Sequence, residues 1–203
     1  LAGPLIGITD KLVGVRAPLF GLSWGFDLVN AKDKKRDLSW LQALQGLIVD
    51  SSHTRNIAIG AGTDSARIHT IPWGVDLEQF TPDGPKADLT HLGIPSESPI
   101  ILSLRALEKI YRIENIIEAF AEVSPDHPKA HLIIGNDGSQ RMHLEALTAE
   151  FHINDRVHFI GRSTETELPQ LLRSSSIYVS ASEVDGTSVT LLQAMACGTA
   201  VIA

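Results

Sequence analysis

Residues 182–203 read SEVDGTSVTLLQAMACGTAVIA, which combines an acidic loop, an apolar helical segment and the start of a strand. An apolar strand is expected directly before this loop, at residues 177–180. Thr187 or Ser188 can cap the first turn of the helix, and Gly198 is expected to end it. Such a helix presents unpaired N–H groups near the carboxyl end of the preceding strand, where they suit a phosphate. The stretch therefore predicts an α/β fold with a ligand site at the edge of an open sheet.

The rest of the chain continues this alternation of short apolar strands and helices. Further strands are expected at residues 18–23, 46–51, 67–71, 100–104, 131–135, 157–161 and from 200 onward. Helices are expected at residues 37–45, 52–60, 113–123, 140–151, 165–173 and 188–196. Strands connected by helices pair in parallel, so the pattern predicts parallel sheets that are covered on both faces. Residues 72–99 hold five prolines, which is typical of a connector between domains.

Composition narrows the class of function. The net charge of −7 and the lack of a basic stripe argue against a nucleic-acid partner, because clustered Lys and Arg bind phosphate backbones. The chain has a single cysteine, Cys197, so it cannot form an internal disulfide, which favours a reducing cytoplasm. Cys197 itself is expected to be a small packed residue. No metal site is expected. His127 and His131 are four residues apart, but Pro128 and the strand expected at His131 break any shared helical face.

Small or polar residues follow each strand of the second half of the chain. They are Arg105, the turn 135–138, Gly161 with Arg162, and the loop 180–186. Because parallel strands end at the same edge of a sheet, these loops predict a binding rim. Gly135 and Gly138 have a second explanation, a turn that needs positive φ. The sequence holds neither a dinucleotide-binding fingerprint nor a P-loop.

Four further segments precede the C-terminal stretch in a fixed order. They are IPWGVDLEQFTP at 71–82, LRALEK at 104–109, LIIGNDG at 132–138 and VHFIG at 157–161. Together with residues 182–203, they resemble the retaining nucleotide-sugar glycosyltransferases of GT-B architecture, family four, also called glycosyl transferases group 1. The likeness covers residues 18–203, and the set of motifs is specific although each one is weak.

This resemblance implies an α/β fold of GT-B type, with two Rossmann-like parallel-sheet domains that are both incomplete in this chain. Residues 1–80 are expected to be the C-terminal part of the acceptor-side domain. Residues 81–98 would connect the domains, and residues 99–203 would form a truncated donor-nucleotide-binding domain. The chain starts without Met and ends in an expected strand, so we interpret it as a fragment.

The resemblance also implies a hexosyltransferase-type enzyme of polysaccharide biosynthesis. It would transfer a sugar, with retention, from a nucleotide diphosphate sugar to a glycan or lipid-linked acceptor, without a cofactor or metal. Peripheral contact with the inner membrane surface stays open. Two alternatives are a non-catalytic nucleotide-sugar-binding remnant and a nucleotide-sugar epimerase on the same scaffold.

Carried over to this sequence, the catalytic residues are Arg105, Lys109 and Asp185. The two cations would hold the diphosphate, because negative phosphates need positive charge as the sugar bond breaks. Each of the two cations could instead be a surface residue with no role in binding. This second explanation has more weight for Lys109, because Ile110 follows it where members of the family have glycine. Asp185 falls at the first acid of the E-x7-E motif, which contacts the donor sugar, and its side chain is shorter than the usual glutamate.

Gln193 falls at the second acid of this motif, which binds the ribose hydroxyls, and it keeps hydrogen-bonding capacity without the charge. The other donor-binding candidates are Gly135, Gly161, Arg162, Glu183, Gly186, Thr187 and Ser188. Glu183 could take the sugar contact in place of Asp185. Thr187 and Ser188 are explained equally well as helix caps.

The acceptor-side candidates are Trp24, Gly25 and Asp27. They belong to SWGFD at 23–27, which resembles the H-G-S-D turn of the family. Trp24 occupies the place of the family histidine and cannot accept a proton. Asp27 is interpreted as an acid that stabilises the turn rather than as a base.

Overall fold

The computed structural model describes residues 18–183, 185 and 187–203. The described residues form two compact units. The first runs to residue 74 and includes Asp185 and Thr187, whereas the second comprises residues 75–183 and 188–203.

Eight strands and six α-helices make up the described part of the chain. The strands are β1 Phe20–Ser23, β2 Gly46–Val49, β3 Ile68–Thr70, β4 Ile100–Ser103, β5 His131–Gly135, β6 Val157–Gly161, β7 Ile177–Val179 and β8 Ala200–Ile202. The α-helices are α1 Phe26–Asp33, α2 Ser52–Gly60, α3 Ile113–Val123, α4 Arg141–Glu150, α5 Glu167–Ser174 and α6 Val189–Ala196.

The sheet of the first unit has the order β1-β2-β3, and both pairs are parallel. Leu47 and Val49 of β2 are buried, as are Ile57 and Ala58 of α2. Helix α2 begins after Ser51, whose hydroxyl accepts a hydrogen bond from the N–H of Thr54 at 3.2 Å. The sequence predicts both elements, as a strand at residues 46–51 and a helix at 52–60.

The sheet of the second unit has the order β6-β5-β4-β7-β8, and all four pairs are parallel. Side chains alternate between its faces, so Leu132 and Ile134 of β5 join one hydrophobic cluster and Ile133 joins the other. Helix α3 covers the first face with Ile117 and Phe120. The prediction of a parallel sheet buried on both faces is confirmed.

Three features of the fold differ from the sequence prediction. The helix expected at 37–45 is a 3₁₀ helix at Ser39–Ala43, and helix α1 was not predicted at all. The buried apolar residues of helix α1, Leu28 and Val29, are neighbours in sequence and define no helical period. The proline-rich segment is also more than a linker, because Phe80 and Ile94 are 5% and 3% exposed and pack in the second unit.

Candidate functional site

Arg105 lies directly beyond β4, at the carboxyl edge of the second sheet. Its Nη1 atom donates to the Ser188 hydroxyl, with 3.4 Å between the heavy atoms. Its guanidinium carbon lies 4.4 Å from the centre of the Tyr111 ring, within the range of a cation–π contact. Two loops of the second unit thus hold the guanidinium, one after β4 and one before α6.

Lys109 begins a short 3₁₀ turn, Lys109–Tyr111, on the same loop as Arg105. The lysine side chain is exposed. No ion pair of Lys109 occurs within the described residues. An ammonium group placed this way can reach an anionic ligand without first breaking a buried contact.

Helix α6 begins at its N-cap residue Ser188, but the Ser188 side chain makes no capping hydrogen bond. The expected hydroxyl cap is therefore wrong, because this hydroxyl accepts from Arg105 instead. The end of the helix is as expected. Gly198 has φ of 77°, and the N–H groups of Gly198 and Thr199 donate to carbonyls of the last turn. Gln193 lies between these ends and is half-buried.

Glu183 fastens the loop after β7 to the loop after β4. Its N–H donates to the carbonyl oxygen of Ile110 at 2.9 Å. Its Oε1 atom lies 3.3 Å from Nη2 of Arg112, which is a partly exposed ion pair. The ion pair engages one oxygen of the carboxylate that the sequence left as an alternative for the donor sugar.

Glycine occupies the positions of the rim for different physical reasons. A Cβ on Gly138 would lie 2.5 Å from the carbonyl oxygen of Leu107, and a Cβ on Gly135 would overlap the Leu104 side chain. Neither glycine has positive φ, so the alternative of a turn that needs positive φ is wrong for both. Close contact with the backbone explains Gly138, whereas the atom that a Cβ on Gly135 would meet is the end of a flexible leucine side chain. Gly161 does adopt φ of 71° and has open space around its α-carbon. Of Gly135, Gly138 and Gly161, the last is the one whose backbone conformation itself favours glycine.

Arg162 is exposed and faces a different part of the second unit. It lines an open cavity of about 300 Å³ together with Asp88, His91 and Glu167. None of the other donor-site candidates in the described part of the chain lines this cavity. The structure thus separates Arg162 from the contact between Arg105 and Ser188.

The loop before α6 is described in part. Gly186 lies outside the described residues. Asp185 is exposed, and both Asp185 and Thr187 group with the first unit. Within that unit, the N–H of Thr187 donates to a carboxylate oxygen of Asp50 at 3.2 Å, and its hydroxyl donates to the Asp50 carbonyl at 3.0 Å. Asp50 is a contact that the sequence did not predict.

The acceptor-side candidates lie together in the first unit, where α1 begins. The Ser23 hydroxyl donates to Asp27 at 2.7 Å, and Gly25 is the N-cap residue with φ of 88°. Asp27 thus ties the first turn of the helix to the strand before it. The exposed Trp24 ring lies 4.6 Å from the Trp73 ring, measured between centroids.

Three further features belong to the described part of the chain. No group of three His, Cys, Asp or Glu residues there could hold a metal ion. None of its helices is long and apolar enough to cross a membrane. Cys197 is buried, and burial raises the pKa of its thiol, which confirms the expectation of a packed residue.

Sequence reasoning missed Tyr111 and Arg112, which flank the candidate cations in the fold. No motif marks these two residues. The contact of Tyr111 with Arg105 arises because the chain turns back between these two residues. The turn itself depends on Arg112, which adopts the left-handed conformation with φ of 48°.

A parallel sheet with polar loops gathered at its carboxyl edge is typical of α/β proteins that bind phosphorylated ligands. The profile described as "Glycosyl transferases group 1" matches residues 86–203, and the chain belongs to this family.

Curated relatives agree with this family. A D-inositol 3-phosphate glycosyltransferase 2 of Catenulispora acidiphila is 27% identical over 151 residues, which are 70% of this chain and 35% of the relative. An N-acetyl-alpha-D-glucosaminyl L-malate synthase of Bacillus anthracis is 31% identical over 117 residues, which are 56% of this chain and 30% of the relative. The chain thus spans about a third of the length of these relatives.

Solved structures show the same fold. The Anabaena protein Alr3699/HepE in complex with UDP-glucose has a TM-score of 0.77 at 19% identity, covering 96% of this chain and 55% of that one. Sucrose-phosphate synthase from Thermosynechococcus elongatus has a TM-score of 0.76 at 22% identity, and the match covers 96% of this chain and 52% of that one. The expected GT-B fold is confirmed.

Proposed function

We propose that the protein transfers a hexose-type sugar, with retention, from a nucleoside diphosphate sugar to a glycan or lipid-linked acceptor. Family membership supports glycosyl transfer. The structural neighbour that holds UDP-glucose makes this compound the first donor to test. One relative is named alpha-monoglucosyldiacylglycerol synthase, which supports keeping a lipid-linked acceptor in the proposal.

The observation that carries the proposal is the contact of Arg105 with Ser188 at the start of α6. The first turn of a helix presents unpaired N–H groups and the positive end of the helix dipole. A guanidinium beside this turn adds a full positive charge with several planar donors. The exposed Lys109 on the same loop supplies a second cation. A diphosphate is the ligand that this combination suits best.

Such a site fits the chemistry of glycosyl transfer. The bond between the sugar and the diphosphate breaks, and negative charge develops on the departing phosphate oxygens. Cations fixed beside that position stabilise the transition state more than the ground state. We assign the leaving phosphate the role of accepting the proton from the acceptor hydroxyl, and the cations of the chain replace a metal ion.

The remaining candidates receive roles within the same proposal. Gln193 would bind the ribose hydroxyls and Asp185 the donor sugar. Glu183 pairs with Arg112, so we assign it to fastening the loop. Trp24 and Asp27 would lie on the acceptor side. A cytoplasmic location, with acceptors reached at the inner membrane surface, is part of the proposal.

Binding of nucleoside diphosphates tests the donor site. The purified full-length protein is titrated with UDP, GDP and ADP in a calorimeter, as wild type and as Arg105→Ala. We expect one nucleotide to bind and Arg105→Ala to weaken it about 10-fold to 100-fold, the effect of losing charge-assisted hydrogen bonds. The control is Arg141→Ala, which removes an arginine that pairs with Glu145 on α4 and should leave binding unchanged.

Two results would contradict the proposal. If none of the three nucleotides binds the wild-type protein, the alternative of a non-catalytic remnant gains support. If Arg105→Ala and Arg141→Ala reduce binding equally, the donor site lies elsewhere. Retention is tested separately, because the anomeric configuration of the first product formed from UDP-glucose can be followed by proton NMR.

A further inference from the structure

We propose that Tyr111 is a positioning residue that aims Arg105 at the N-terminus of α6 for diphosphate binding. The inference rests on the proposed function, and it concerns a residue that touches no ligand in the proposed site. The Arg105 guanidinium carbon lies 4.4 Å from the centre of the Tyr111 ring. The two other arginines stacked on rings in the described residues are farther away, at 5.7 and 5.8 Å.

Packing and a backbone hydrogen bond fix the position of Tyr111. Tyr111 is half-buried and packs against the hydrophobic cluster beneath α3. Its N–H donates to the Glu108 carbonyl at 2.9 Å and closes the 3₁₀ turn. A ring fixed in this way has few rotamers available, so it can serve as a rigid support for a flexible side chain.

The turn that carries the ring is fastened on both sides. The Glu108 carboxylate accepts from the N–H of Ser139 at 2.8 Å and from its hydroxyl at 2.6 Å, which ties the turn to the loop after β5. Arg112 on the other side pairs with Glu183 of the loop after β7 at 3.3 Å. Two neighbouring loops of the sheet edge thus fix the position of Tyr111.

The contact with Tyr111 uses the charge of Arg105 and none of its hydrogen-bond donors. The guanidinium carbon lies over the Tyr111 ring, and a cation–π contact of this kind draws on the positive charge of the group rather than on its N–H donors. The ring therefore orients the group without competing with a phosphate for N–H donors. It also removes rotamer freedom from the arginine before the ligand arrives, which lowers the ordering cost of binding.

The test compares Tyr111→Leu, Tyr111→Phe and Phe159→Leu in the full-length protein. Phe159 is the matched control, because it is also partly buried in the same cluster and also lies under an arginine, Arg141. Calorimetry measures the nucleoside diphosphate that binds the wild type and the corresponding monophosphate. Thermal unfolding is recorded for each variant.

We expect Tyr111→Leu to weaken diphosphate binding about 3-fold to 30-fold, the range of a partly desolvated cation–π contact. Tyr111→Phe keeps the ring and should bind within about twofold of the wild type. The monophosphate should lose less affinity than the diphosphate, which a merely structural loss would not produce. In an Arg105→Ala background, Tyr111→Leu should have no further effect on binding.

The outcomes separate the two proposals. If Arg105→Ala leaves diphosphate binding unchanged, the donor site fails and the role of Tyr111 fails with it. If Arg105→Ala weakens binding but Tyr111→Leu does not, or Phe159→Leu weakens it equally, the positioning role is overturned while the proposed function stands. Tyr111→Met, which keeps more side-chain volume, replaces the leucine variant if that variant does not fold, and the same criteria apply.

Discussion

Single residues decide how strongly the proposed donor site holds its ligand. Gln193 stands where the resemblance places a carboxylate, and it is half-buried in the middle of α6. A neutral amide can still accept from a ribose hydroxyl, but hydrogen bonds to a charged acceptor are stronger. In the proposed site, Gln193 would therefore make a weaker ribose contact than a carboxylate would.

Restoring the acid at this position should strengthen nucleotide binding. We expect Gln193→Glu to tighten binding of the nucleoside diphosphate about fivefold, since the gain from a charged acceptor is about 1 kcal/mol. Gln193→Leu should weaken binding by a similar factor. Gln170→Glu adds the same charge to α5 and serves as the control. Calorimetric titration checks all three, and equal weakening by the Glu and Leu variants would exclude the ribose contact.

Among the elements, the loop between β5 and α4 depends on close packing rather than on an unusual backbone. Gly138 lacks positive φ, yet a Cβ there would meet the Leu107 carbonyl oxygen at 2.5 Å and its carbon at 2.7 Å. Leu107 is itself bound to this loop, because its N–H donates to the Asp137 carbonyl at 3.1 Å. The backbone atoms involved cannot move aside as a side-chain terminus could.

Gly138→Ala should therefore destabilise the second unit by about 1–3 kcal/mol, the usual cost of overpacking. Gly60→Ala is the control, since nothing lies within 4 Å of a Cβ at the end of α2. Alanine favours a helix, so this variant should be neutral or slightly stabilising. Urea unfolding gives both free energies. A Gly138→Ala protein as stable as the wild type would show that the loop can shift freely.

The cap of α2 gives a second prediction at the scale of elements. The Ser51 hydroxyl accepts from the Thr54 N–H at 3.2 Å and contacts the Thr54 hydroxyl at 2.9 Å. Ser51→Ala leaves that N–H without its partner and should cost about 1 kcal/mol of unfolding free energy. Ser52→Ala, one residue into the helix, should cost nothing because alanine is a better helix former. Equal losses in urea unfolding would contradict the capping role.

The elements that sequence predicted best are those with a dense apolar pattern. Helix α3 was predicted with both ends correct, because Ile113, Ile117 and Phe120 repeat at helical spacing and are buried. Helix α1 was missed because its burial rests mainly on two neighbouring residues, Leu28 and Val29, which do not define a period. Local patterns report burial only where one face carries several apolar residues.

The candidate site was predicted less completely for a different reason. Arg105 follows a recognisable strand, so its place at the sheet edge could be inferred from order along the chain. Its contacts with Tyr111 and Ser188 depend on how its own loop folds back and on how that loop meets the loop before α6, and residue 188 is 83 positions away. The roles of the site residues remain predictions, and sequence order alone does not encode the side-chain contacts that support them.

At the scale of the whole molecule, a histidine pair should govern stability near neutral pH. His131 on β5 and His158 on β6 bring their ring nitrogens to 3.0 Å. Burial lowers the pKa of both histidines, and the charge of Arg156 lowers that of His131 further. The two rings also repel each other when charged, while Asp155 opposes the shifts in part. The folded protein therefore favours neutral rings.

The sign of the pH effect follows from these lowered pKa values. The pKa of a histidine in the unfolded chain is about 6.5. As the pH falls through this value, the unfolded chain binds protons that the folded pair does not bind, so the free energy of unfolding falls with the pH. Each extra proton taken up on unfolding changes the free energy of unfolding by at most about 1.4 kcal/mol per pH unit. The protein should lose stability between pH 7.5 and 5.5, above the range in which ordinary carboxylates titrate.

The net charge of the chain predicts that stability rises as the pH falls, which is the opposite of the effect expected from the histidine pair. A measurement of stability against pH therefore distinguishes the two. The chain carries a net charge of −7 at pH 7 and has a calculated pI of about 5.6, so lower pH reduces repulsion within the molecule. We expect His158→Gln to flatten or reverse the loss of stability in urea unfolding across this pH range. His143→Gln removes an exposed histidine of α4 and should keep the wild-type slope. If His158→Gln also keeps that slope, the pair does not control stability, and other groups whose protonation changes on unfolding must account for the dependence on pH.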